Sequence, residues 1–169
     1  MTLPTAFHEH VMRLALREAA RAARAGEVPA GCVIIRRPDA PDASPAAVRV
    51  IGRAHNQTEL LKDPTAHAEM LAITQAASAL GDWRLADTLL YVTKEPCPMC
   101  AGAIVLARIP TVVFGLADPK RGGGTVFNLF NHPGLNHRPE ILAGVIEEEC
   151  RAILTDFFRA RRAVGGVQP

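Results

Sequence analysis

The chain has 169 residues, of which 49% are hydrophobic, 5% aromatic and 21% charged, with a formal net charge of +2. That length suits one folded domain with a substantial core. The charge is too small to mark a nucleic-acid binder by itself, and no run of about 18 uncharged apolar residues offers a membrane span.

In chain order, Phe7, Val11, Leu14, Ala15, Leu16 and Ala19 recur at helical spacing over residues 5–25, a helix stopped by Gly26. Glu9 and Glu18 within it are unlike a secretory leader. Arg13, Arg17, Arg21 and Arg24 follow the same period, a stripe that reads first as a solvated face. Cys32-Val33-Ile34-Ile35 reads as a buried strand and Val48-Arg49-Val50-Ile51 as its return, joined by a turn or long hairpin loop over 38–46. Residues 66–79 form a helix with His67 and Glu69 in its first turn, and residues 88–93 a strand. Ala101 to Ala107 continue a buried helix whose first turn accepts Pro98, followed by a short strand at Thr111-Val112-Val113-Phe114. Gly122-Gly123-Gly124 reads as a flexible joint without a phosphate-loop pattern, and Asn128 to Arg138 as loop. A short strand near 140–145 precedes a last helix over 147–162, and residues 164–169 are expected to be disordered. Strands alternating with helices make an α/β layered domain spanning 1–163.

The chemistry concentrates in Thr65-Ala66-His67-Ala68-Glu69 and Pro96-Cys97-Pro98-Met99-Cys100. A catalytic zinc keeps three protein ligands and leaves the fourth position for water; His67, Cys97 and Cys100 supply three. Glu69 stands two residues from the imidazole, suited to shuttling protons between water, ring nitrogen and leaving ammonia. Alone, a C-x-x-C is as readily a redox pair or half of a structural zinc site, and an H-x-E arises by chance on surface helices. Together they match the signature H-x-E…P-C-x-x-C of zinc deaminases. No further Cys or His lies at finger spacing to close a structural site. Cys32 and Cys150 remain as buried thiols, which suits a reducing cytoplasm.

Over residues 5–163 the chain resembles the bacterial tRNA-specific adenosine deaminases of the cytidine-deaminase-like superfamily. The landmarks are Glu27-Val28-Pro29-Ala30-Gly31, His55-Asn56, the two motifs above with Glu95 and Ala101 to Ile104, Val112-Val113-Phe114-Gly115, His132 to Arg138, and Asp156-Phe157-Phe158-Arg159. The resemblance implies a three-layer α/β/α fold around a mixed sheet of about five strands. It also implies one Zn2+ per subunit on His67, Cys97 and Cys100, Glu69 as general acid/base, and a homodimer converting the wobble adenosine of a tRNA anticodon stem-loop to inosine. Asn56 falls on the base-pocket position, where its amide would donate and accept; Asp118 falls on the ribose contact. Lys120 falls near the RNA backbone, and Asn136 and Phe158 on the anticodon groove.

Each of these also has a plain structural reading: Asn56 as a cap before His67, Asp118-Pro119 as a turn start, Phe158 as core. The chain departs from the family in the extra residues 38–46 and in Lys94, where an apolar residue is commoner. Lys94 is expected to carry its charge outward, and Cys32 to be a small buried hydrophobe. A free-nucleobase deaminase and a non-catalytic RNA-binding subunit are the rival functions. The basic ending around Arg159 and Arg162 favours RNA over the first, and Glu69 favours catalysis over the second.

Overall fold

Short runs of aliphatic and β-branched residues build the centre of the molecule. The computed structural model describes residues 3–40 and 42–163; the expected disorder at 164–169 lies outside them. Strands β1 (Gly31–Arg36), β2 (Val50–His55), β3 (Thr88–Lys94), β4 (Thr111–Leu116) and β5 (Glu140–Ala143) form one sheet in the order β2-β1-β3-β4-β5. β1 is antiparallel to β2 and β3, whereas β3, β4 and β5 run parallel.

The central strands are apolar on both sides because both faces are covered. Cys32, Ile34, Leu90, Val92, Val112 and Phe114 pack with α3 (Ala68–Leu80) and α4 (Pro98–Leu106). Val33, Ile35, Leu89, Tyr91 and Val113 meet α1 (Thr5–Arg24) and Cys150 of α5 (Glu147–Ala163) on the opposite face. The result is the three-layer cytidine-deaminase-like α/β fold. On the α1 face His8 Nδ1 lies 2.9 Å from the Tyr91 hydroxyl, so two buried polar groups satisfy each other.

Three local expectations change. The second strand starts later than 48–51 and continues to His55. Gly52-Arg53-Ala54 lacks the apolar bulk of a buried strand, yet at Gly52 bulk is what the fold forbids: a Cβ there would lie 2.4 Å from the Ala72 carbonyl oxygen of α3. The glycines at 122–124 are no flexible joint, since the N–H of Gly122, Gly123 and Gly124 donate to Asp118 O, Pro96 O and Glu95 Oε1. A one-turn helix, α2 (Thr58–Leu61), stands where no apolar period announced it.

Candidate active site

The antiparallel pairing of β1 brings its first residues beside the last ones of β2 and β3, with Gly31 opposite His55 and Cys32 opposite Val92. Functional segments therefore gather at one end of the sheet. His67 is the N-cap of α3 and Cys97 the N-cap of α4, both in extended backbone, with Cys100 in the first turn of α4. His67 thus precedes the helix instead of lying in its first turn. Two helix N-termini, each carrying partial positive charge, flank the same point and favour thiolates there.

The three ligand atoms converge. Cys97 Sγ and Cys100 Sγ lie 3.6 and 3.5 Å from His67 Nδ1 and 3.7 Å from each other. Tetrahedral zinc with bonds of about 2.3 Å to sulfur and about 2.05 Å to nitrogen requires edges of about 3.8 Å (S–S) and about 3.6 Å (S–N). The donors present fit that ion, and among the described residues no fourth His, Cys, Asp or Glu joins the group. The thiols alone cannot both ionise. The Cys100 hydrogen bond, with help from His67, lowers Cys97 to about 4. That same thiolate, together with burial, drives Cys100 up. A dication removes the conflict.

Glu69 is buried in the first turn of α3, and burial pushes its carboxyl above the usual range. Asn56 Oδ1 accepts the Ala68 N–H at 2.9 Å. That bond satisfies a donor at the start of α3 and assigns the amide: the oxygen is engaged and the NH2 is the group left to donate.

A loop closes the site from the other side, and Glu95 holds it. Its Oε2 accepts from Asp118 N at 2.8 Å and Thr125 Oγ1 at 2.9 Å, and its Oε1 from Thr125 N at 2.8 Å and Gly124 N at 3.1 Å. Gly122 is obligatory here, because a Cβ would stand 2.3 Å from Glu95 Oε2. Asp118 faces Lys94, whose Nζ lies 2.5 Å from Oδ2, while Oδ1 accepts the N–H of Lys120 and Arg121 at 3.0 and 3.1 Å. Burial opposes ionisation of Asp118, but the ammonium and the two N–H groups hold its pKa below the usual value. Lys94 therefore turns toward Asp118, not outward as expected, since a nearly buried carboxylate attracts it more than open solvent does.

These groups line a cavity of about 220 Å3, together with Val28, Ala30, Thr58 and Arg121. Of the sequence candidates, His67, Cys97, Glu69, Asn56 and Asp118 line it, and Cys100 lies buried beside them. Lys120 is exposed just beyond. Asn136, also exposed, accepts a hydrogen bond from Arg108. Phe158 is half-buried on α5 with its ring 5.4 Å from that of Phe157. Cys32 is fully buried, and burial raises its pKa well above the usual thiol value.

Sequence reasoning missed Glu27, Glu95, Thr58 and Arg121 as parts of the site. Glu27 is buried and accepts from Leu60 N at 2.8 Å, Glu59 N at 3.1 Å and Thr58 Oγ1 at 3.1 Å, fixing α2 beside the cavity. The signal available for Glu27 and Glu95 was an acidic residue inside an otherwise apolar or turn-forming landmark.

The family model for MafB19-like deaminases matches residues 7–162. The tRNA-specific adenosine deaminase of Bacillus subtilis (strain 168) is 48% identical over 155 residues, covering 91% of this chain and 90% of that protein. The tRNA-specific adenosine deaminase of Aquifex aeolicus (strain VF5) is 44% identical, with 91% and 95% covered. A solved structure from a study of A-to-I editing by tRNA:A34 deaminases superposes with a TM-score of 0.77 at 43% identity, covering 86% of this chain and 99% of that one. A guanine deaminase from Nitrosomonas europaea shares the fold at 19% identity and a TM-score of 0.68, with 93% of this chain and 85% of that one covered. With a matching donor trio, a buried carboxylate and relatives of this closeness along nearly its whole length, the chain belongs to the tRNA-specific adenosine deaminase family of hydrolytic deaminases.

Proposed function

We propose that the chain converts adenosine to inosine at the wobble position of a tRNA anticodon, as a zinc-dependent homodimer in the cytoplasm. The observation that carries this is Glu69: its carboxyl is buried against Cys100, beside three donors set at tetrahedral edges, and lines the same cavity as two of them. A purely structural metal needs no such neighbour. The resemblance of the chain to proteins named for tRNA and adenosine supplies the substrate class.

Held by His67, Cys97 and Cys100, zinc would act as a Lewis acid that brings the pKa of water down toward about 7. The remaining work belongs to the protein. Glu69 takes a proton from the attacking water and returns protons to the ring nitrogen and the departing amine, so that the ring carbon gains oxygen and loses ammonia. The Asn56 NH2 donates to the base and so orients it. Asp118 takes the ribose, Lys120 approaches the backbone, and Asn136 and Phe158 line the anticodon groove. An anticodon loop offers unpaired bases that can leave their stack and enter such a cavity. Cys32 and Cys150, buried and not joined in a disulfide, suit the reducing compartment of this proposal.

The test is incubation of the protein with an anticodon stem-loop carrying adenosine at the wobble position and, separately, with guanine and cytosine. Inosine and ammonia from the RNA alone are expected. Ammonia from a free base and none from RNA would replace this reading with that of a nucleobase deaminase.

A further inference from the structure

Lys94 is an additional charge at the site, and its placement gives it a role. The cavity wall runs from the buried Glu69 and Asn56 to the one-third exposed Lys94 and the exposed Arg121, so its cations sit at the outer end. A lysine side chain is ordinarily a mobile charge on a four-carbon stem. Here Asp118 Oδ2 at 2.5 Å holds the ammonium in one position. Asp118 is itself fixed by the Lys120 and Arg121 N–H groups on Oδ1 and through its own N–H on Glu95. An ammonium has three donors; Asp118 takes one, and two remain beside the Arg121 side chain in the same cavity. A nucleotide whose base reaches Glu69 must leave its sugar and phosphates at this outer end, where Lys94 and Arg121 stand.

We propose that Lys94, positioned by Asp118 and accompanied by Arg121, binds a backbone phosphate next to the reacting nucleotide. The site then selects a nucleotide within a strand over a free base by charge at its mouth. The inference rests on the adenosine-in-RNA reading above and assigns to Lys94 a contact that an apolar residue at this position cannot make.

The experiment measures binding of the anticodon stem-loop to the metal-loaded protein across a range of salt, in a Glu69→Ala background so that the RNA is not consumed. Lys94→Met is expected to weaken binding about 10-fold at moderate salt and to flatten the slope of log affinity against log salt by about 0.7, the loss of one single-strand phosphate contact. Lys94→Arg should restore the slope. In the otherwise active protein, Lys94→Met should raise KM with kcat within about twofold. A slope unchanged by Lys94→Met, or not restored by Lys94→Arg, would overturn the phosphate contact and reduce Lys94 to a brace for Asp118. Inosine formation by the unmodified chain on the same stem-loop, followed in parallel, tests the adenosine reading separately. Its failure would sink that reading while the salt slope still decided Lys94.

Discussion

Asn56 and Glu69 show how a single side chain divides its atoms between fold and chemistry. The Asn56 oxygen accepts the Ala68 N–H, which leaves both hydrogens of its NH2 free to meet a ligand. Asn56→Asp keeps an acceptor for α3 but removes the donor. It should hold the melting temperature within a few degrees and lower kcat/KM by about 10- to 100-fold. Asn56→Leu should lose both, and thermal unfolding beside steady-state kinetics separates the two. Glu69→Ala is expected to retain zinc and fold while turnover drops by about 10²-fold or more, the contribution of general acid/base catalysis; metal analysis and inosine release check it. Cys97→Ser should lose the metal itself, because the hydroxyl does not ionise as the thiol at about 4 does.

At the scale of elements, two buried carboxylates tie irregular backbone to a regular scaffold. Glu95 gathers four hydrogen bonds from the segment 118–125, and Glu27 gathers three from the start of α2. Removing either would strand several N–H groups at once, so Glu95→Ala is expected to destabilise the protein by about 2–4 kcal/mol in chemical denaturation. Hydrogen exchange should then open first across 118–125. The docking of α1 on β3 depends on pH through His8. Burial, opposed in part by Glu140, lowers the His8 pKa below its ordinary 6.5. The unfolded chain therefore binds the extra proton just below that value and the folded chain does not. Stability should be complete above about pH 6.5 and decline as pH falls through the folded-state pKa. Denaturant midpoints measured between pH 7.5 and 5 check this, and His8→Gln should flatten that part of the profile.

For the whole molecule, surface features bear on assembly and RNA docking. Leu60 and Leu106 are 70% and 71% exposed, apolar surface that the proposed dimer has reason to cover. Leu106→Asp is expected to shift the protein toward monomer in light scattering. Arg159 lies 3.4 Å from Asp156 on an exposed face, and Arg162 lies in the last turn of α5. If they hold phosphates, neutralising either should reduce the salt slope of RNA binding by about 1. Much of the fold and the site is legible in the amino-acid sequence alone. Residues such as Val33 to Ile35 and Leu89 to Val92 announce buried strands by composition, and His67, Glu69, Cys97 and Cys100 announce the donor set by local spacing, because helix starts fix side chains within a turn of one another. The continuation of the edge strand through Gly52 to His55, the helix α2 and the ordered glycines at 122–124 were not legible, since close approach of α3 and the remote carboxylates of Glu27 and Glu95 decide them. So too for Lys94: its own sequence neighbourhood allows an outward charge, and only the arrival of Asp118, from the end of another strand, turns it inward. Short-range geometry is written in adjacent residues; the electrostatic partner of a charge is chosen by whatever the fold brings beside it.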